Sequence, residues 1–199
     1  GSPFEIRGYW ISWVGDYSGK DDFQRRNMMI HGNGRRGFPS TGHALGQYTN
    51  DAPGAKGTFN FPITAPATAE HVAKKIEAAY AKGEGISIGM EDGNYDSEYP
   101  DDVTLMKLQW DKYMMRWSVT DPMLELYNNV ARILQNKYPA SQAKLGFLAY
   151  ANMTIPPVRP MTAEKSLFCE LAPIDIDPIH GMDDVDSPPR QEYRDMLHA

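Results

Sequence analysis

Two carboxylates stand side by side at Glu91 and Asp92, closing the run Gly85-Ile-Ser-Ile-Gly-Met-Glu-Asp-Gly93. The alternation of β-branched residues and glycines predicts a short strand, and a strand that delivers acids at its C-terminal end is how an α/β barrel presents catalytic groups. Consecutive strand residues point to opposite faces, so both acids reach one substrate only if the chain turns at Gly93. Such a pair suits hydrolysis of a glycosidic bond. In the substrate-assisted form, one acid protonates the glycosidic oxygen while its neighbour orients a 2-acetamido group that attacks the anomeric carbon. In the ordinary retaining form, Asp92 needs a second carboxylate about 5 Å away. Glu170, in Leu167-Phe-Cys-Glu-Leu171, is the candidate partner. The competing readings make Glu91 a solvent-facing or salt-bridged rim residue and pair Glu170 with an arginine such as Arg159.

Sugar rings have apolar faces, so aromatic residues are expected around such acids. Trp13, Tyr95 and Tyr150 each fall at or just beyond the end of an expected strand, and ordinary packing is the alternative for all three. Trp110 and Trp117 are expected to pack beneath a loop. His43, after Gly42, can donate to a sugar hydroxyl, and Arg35 and Arg36 can clamp an acidic sugar. His180 lies before Gly181 in an acidic stretch. Residues 175–186 hold five aspartates, but their spacing matches no calcium loop, and a solvated acidic loop is expected. No metal or cofactor is called for: phosphate loop, zinc helix and serine elbow motifs are all missing.

The elements that must position these groups alternate. Strands are expected over residues 6–14, 58–63, 86–90 and 144–150, with 167–171 as a weaker fifth. A helix over 68–82 carries Val72, Ile76 and Ala79 on one stripe and stops at Gly83. Another over 122–138 has Asp121 as N-cap, Pro122 at its first position and Met123, Leu126, Val130, Ile133 and Leu134 on one face. Residues 32–46 are too glycine-rich for regular structure, and Pro156-Pro157 keeps 152–157 extended. Helix and strand alternation implies a parallel sheet. The expectation is a single (β/α)8 barrel domain over residues 1–199. A complete barrel takes about 250 residues, so it is read as incomplete here and as part of a longer polypeptide.

The net charge of −6 and the lack of a basic block argue against nucleic acid and against an anionic membrane surface. Cys169 is the only cysteine, so an intrachain disulfide is excluded. No stretch has the length of a membrane span. Gly1-Ser2-Pro3 reads as a cloning remnant, which leaves a secreted, periplasmic or cell-surface protein without its leader as the expectation.

Several segments together carry a resemblance. They are Arg25-Arg26-Asn27, Gly42-His43-Ala44, Ile86-Ser-Ile-Gly-Met-Glu-Asp-Gly93, Leu126-Tyr-Asn-Asn-Val-Ala131 with Lys137-Tyr-Pro139, Leu148-Ala-Tyr150 with Pro156-Pro157, and Leu171-Ala-Pro-Ile174. In this order they resemble the domain of unknown function 4838 group, which is similar to glycoside hydrolase family 163 and more distantly to α-glucuronidase barrels. Many relatives have Asn-Asp where this chain has Glu91-Asp92, and a cysteine-rich segment where it has Tyr95-Asp-Ser-Glu-Tyr99. The resemblance implies a (β/α)8 catalytic barrel with endo-β-N-acetylglucosaminidase activity on N-glycans or glycoproteins, Asp92 as an essential acid assisted by Glu91, and Tyr150, Trp13 and His43 lining sugar subsites. A glucuronidase-like exo-enzyme using Arg35 or Arg36, and a carbohydrate-binding protein on a decayed barrel, are the alternatives.

Overall fold

Residues 39–172, 177, 179–181 and 183–198, together with Arg26, are described in a computed structural model. The expected strand at 6–14, with Trp13, and the pair Arg35 and Arg36 lie outside the described residues. The described chain is mixed α/β. Its elements are α1 (Gly46–Thr49), α2 (Pro66–Ala81), β1 (Ile86–Ser87), α3 (Pro100–Met106), β2 (Trp110–Asp111), β3 (Arg116–Trp117), α4 (Thr120–Lys137), β4 (Leu145–Ala149), a 3-10 turn (Ala151–Met153), β5 (Leu167–Leu171) and α5 (Pro188–His198).

Strands β1, β4 and β5 form a three-stranded parallel sheet in the order β1-β4-β5, with Leu145 opposite both Ile86 and Leu167. A complete eight-stranded barrel is not what these residues form. One face of the sheet buries Ile86, Ile88, Met90, Leu145 and Phe147 in a single core with α2 and α4. The helices supply Val72, Ala73, Ile76 and Tyr80 from α2 and Met123, Leu126, Tyr127, Val130 and Leu134 from α4. Tyr127 stacks on Phe147 with ring centroids 4.7 Å apart. Ile133, on the expected apolar stripe, is only half-buried at its border.

Helix α2 begins with Pro66, whose missing N–H costs nothing at a helix start. It ends as its sequence predicts. Gly83 takes φ +78°, the Gly83 amide donates to Tyr80 O and the Glu84 amide to Ala79 O, which is the left-handed C-terminal closure. Helix α4 begins earlier than expected, at Thr120, and Val119 rather than Asp121 is its N-cap. Asp121 is instead buried in the first turn, where its charge suits the helix dipole. Its carboxylate accepts the Val158 and Arg159 amides and the Arg159 guanidinium, which also pairs with Glu125.

Residues 58–63 are not a strand. Pro62 has no N–H to give, and the next two amides go elsewhere: Ile63 N and Thr64 N donate to the carboxylate of Asp102, at 2.6 and 2.8 Å. Asp102 is fully buried and also accepts the Ser97 hydroxyl, so a single carboxylate takes the bonds that a ladder would have used. Beyond α3 comes an unforeseen antiparallel hairpin, β2 and β3, with Trp110 opposite Trp117 and Asp111 opposite Arg116. Residues 152 and 153, the start of the 152–157 segment expected to be extended, belong instead to the 3-10 turn, with Ala151 in the left-handed region at φ +48°.

The second face of the parallel sheet is paved with glycine. A Cβ on Gly89 would lie 2.1 Å from Thr41 O, one on Gly146 would lie 2.2 Å from Ser40 O, and one on Gly85 would lie 3.1 Å from the Pro39 backbone. Residues 39–42 therefore lie flat across strands β1 and β4, main chain on main chain. Beyond them His43 makes a parallel bridge to Gly89, and Gly89 O accepts the amides of Ala44 and Leu45.

Gly146→Ala is expected to destabilise the protein by about 1–3 kcal/mol, the usual cost of forcing extra volume into packed structure. Urea unfolding of the variant checks this, with a lower midpoint at unchanged slope as the expected result.

Candidate functional site

The C-terminal ends of β1 and β4 face the same way because the strands are parallel, and three polar groups collect there. Asp92, two residues past Met90, is exposed. Tyr150 follows the last residue of β4, and its hydroxyl donates to Asp92 Oδ1 at 2.5 Å. His43, carried in by the segment that crosses the sheet, sets its ring 5.7 Å from that of Tyr150 at an interplanar angle of 55°. The contact of His43 Nδ1 with Met90 O, at 2.6 Å, is to an acceptor. Nδ1 must therefore carry the proton, and in the neutral ring Nε2 presents its lone pair outward.

Tyr150 titrates above the ordinary phenol value. The hydrogen bond to Asp92 is the main cause, since it holds the proton on the hydroxyl. Partial burial and the neighbouring negative charge add to it. The same bond restrains the rotation of the exposed Asp92 carboxylate.

Glu91 has a different setting. Its Oε1 accepts the Gly46 amide at 2.9 Å, and its own amide donates to the Tyr95 hydroxyl at 2.9 Å. The side chain thus anchors the start of α1 beneath the rim, and the two acids do not act as an equivalent pair. Tyr95, expected to stack on a sugar, is buried at 1% exposure, edge-on to Phe59 and Phe61. Burial raises its hydroxyl strongly. It is a support for the Glu91 backbone, because a tyrosine just past the turn folds back under the loop where apolar partners wait.

Glu170 accepts the Thr41 hydroxyl. It lies opposite Leu148, two positions before Tyr150 along the sheet, and so sits below the rim rather than on it. The arginine expected as its partner, Arg159, is committed to Asp121 and Glu125. His180 belongs to a separate knot: its ring bonds Asp177, whose carboxylate also accepts the Ser187 hydroxyl, while Arg190 donates to His180 O. Backbone and side-chain donors hold the Asp177 carboxyl well below its usual range. Ser187, Asp177 and His180 here close the start of α5. Among the described residues, no group of three or more His, Cys, Asp or Glu side chains is arranged to hold a metal, and no helix is long and apolar enough to cross a membrane.

Asn152 was not foreseen. Its Oδ1 accepts the Tyr95 amide at 3.0 Å, and its Nδ2 donates to Tyr95 O at 2.8 Å and to Trp117 O at 3.1 Å. Its own carbonyl accepts the Val119 amide. One side chain therefore ties the turn after β4 to the loop after β1 and to the hairpin. The only sequence signal was its place two residues after Tyr150.

The family model described as "Domain of unknown function (DUF4838)" matches residues 44–198, well over half of the chain. The chain belongs to this family. Its matched span begins one residue after His43 and takes in Asp92, Tyr150, Asn152 and the whole parallel sheet of this DUF4838 domain. No curated protein and no solved structure matches it.

Replacing Asp92 by Asn removes the carboxylate charge and leaves at most a neutral amide oxygen, a weaker acceptor for the phenol proton, so the Tyr150 titration is expected to fall back toward the ordinary tyrosine value. Ultraviolet titration of tyrosinate, differenced against Tyr150→Phe, checks the direction. A Tyr150 value unmoved in Asp92→Asn would show that the pair does not form.

Proposed function

We propose that this DUF4838 domain is the catalytic part of a glycoside hydrolase of the (β/α)8-barrel type. Its proposed action is endo-β-N-acetylglucosaminidase-like cleavage of N-glycans, as in glycoside hydrolase family 163. The observation that carries the reading is the exposed Asp92 carboxylate at the C-terminal edge of a parallel sheet, oriented by the Tyr150 hydroxyl from the neighbouring strand. Acids at that edge are where α/β enzymes keep their chemistry. An acidic protein also suits a neutral glycan better than a polyanion.

In this mechanism the protonated form of Asp92 is the general acid, with Tyr150 donating to the carboxyl oxygen that does not carry the proton. The bond between the anomeric carbon and the leaving oxygen breaks as that oxygen takes the Asp92 proton. The carbonyl oxygen of the sugar's own 2-acetamido group forms the new bond to the anomeric carbon. Asp92 is then an anion, and the hydrogen bond from Tyr150 strengthens as that charge develops. Water next attacks the anomeric carbon, Asp92 takes its proton, and the acetamido bond opens. His43 Nε2 faces the same rim and accepts from a sugar hydroxyl. Glu91 holds the loop in place, with one oxygen engaged by the Gly46 amide and its backbone pinned by Tyr95. Glu170, bonded to Thr41, supports the segment that carries His43.

The test is release of sugars from N-glycoproteins, chito-oligosaccharides and glucuronoxylan, followed by mass spectrometry. Wild type is expected to release whole N-glycans, and Asp92→Asn to do so about 10²–10⁴-fold more slowly, the usual contribution of a positioned acid. Tyr150→Phe is expected to slow release by a smaller factor. Folded wild type that releases nothing, or an Asp92→Asn variant of undiminished activity, overturns the proposal.

A further inference from the structure

The hairpin turns its tryptophans outward. Trp110 and Trp117 are cross-strand partners and retain 48% and 39% of their exposure, while Asp111, next in the chain, is 2% exposed. Side chains alternate along a strand, so a shift of register by one residue would bury the indoles and free the carboxylate. The observed register does the opposite at a cost. Asp111 spends its carboxylate on the Tyr113 and Met114 amides of the hairpin turn, and burial raises it above its usual range. The two indoles meet edge to face, centroids 5.1 Å apart and planes at 86°, which leaves indole surface open to solvent in two nearly perpendicular orientations. Leu108 and Met115, on and beside the same hairpin, are also exposed, at 47% and 71%.

The platform is tied to the Asp92 rim. Trp117 O is held by Asn152, two residues past Tyr150, and the same amide side chain grips both backbone groups of Tyr95, three residues past Asp92. An aromatic surface whose backbone is tied to an acid-bearing rim fits a ligand that alternates apolar ring faces with hydroxyl edges.

We infer that Trp110 and Trp117 form a distal subsite that stacks on a pyranose ring of the same glycan whose cleaved bond lies at Asp92. The inference rests on the hydrolase reading and names how that site takes hold of a long substrate. The subsite favours oligosaccharides long enough to span from the rim to the hairpin and adds nothing for the shortest.

The experiment uses the full chain carrying Asp92→Asn, which separates binding from cleavage. Chito-oligosaccharides of graded length and a free N-glycan are titrated by calorimetry, and tryptophan emission is followed in parallel. Trp110→Ala and Trp117→Ala are each expected to weaken binding of the longer ligands about threefold to tenfold, with the disaccharide unaffected. Trp117→Phe, which keeps a stacking ring, is expected to recover most of the loss. Equal affinity of folded alanine variants for every length overturns the inference, as does an equal loss at every length. A wild-type dimer that disappears in the double alanine variant would assign the indoles to a second copy and overturn it too. Length-dependent, tryptophan-dependent binding by a wild type that cleaves no glycan would sink the hydrolase reading and leave the subsite standing.

Discussion

Main chain packs on main chain where residues 39–42 cross the parallel sheet, and this close approach arranges most of what lies above it. With carbonyl oxygens where the Cβ atoms of residues 89 and 146 would stand, the crossing segment comes nearer to β1 and β4 than any side-chain layer would allow. At that depth the Ser87 hydroxyl donates to Gly42 O and the Thr41 hydroxyl to Glu170. His43 emerges at the strand end already within reach of Met90 O. The glycines of the strand, which look like interruptions of a β pattern, are the condition for bringing a histidine to the acid.

Strand β5, and the extents of β4 and α2 to within two residues, were legible because their signals are local. The 144–150 and 167–171 runs are mainly leucine and aromatic, and Gly83 closes α2 at a position whose chemistry depends on no distant neighbour. The failures share a cause. The 58–63 segment has strand-like composition, but a fully buried aspartate 38 residues away from Thr64 claims its amides. Asp121 looks like a helix cap, and is drawn into the first turn by an arginine 38 positions downstream. In both cases a carboxylate made a long-range bond that outweighed a local preference.

The candidate site was legible in the same uneven way. Asp92, Tyr150 and His43 were expected on one rim and are brought together there. Glu91 and Tyr95 were read as groups facing a ligand, yet each is turned inward, Glu91 onto the Gly46 amide and Tyr95 under Phe59. No pattern in the sequence separates an acid that meets solvent from its neighbour that holds a backbone N–H. The hairpin register that exposes Trp110 and Trp117 was equally hidden, since tryptophans in a mixed polar and aromatic stretch ordinarily signal packing.

The bonds that complete the rim join residues far apart in the chain. Asp92 and Tyr150 are separated by 58 positions, and Tyr95 and Asn152 by 57. Contacts of such long sequence separation carry a loop-closure cost that no local element offsets, and both depend on the β1–β4 pairing that sets the two strand ends side by side. Each of the two helices can take shape from its own sequence, but the rim cannot. It is assembled from two loops that share no local structure, so a chain with helices formed but β4 not paired to β1 has no site.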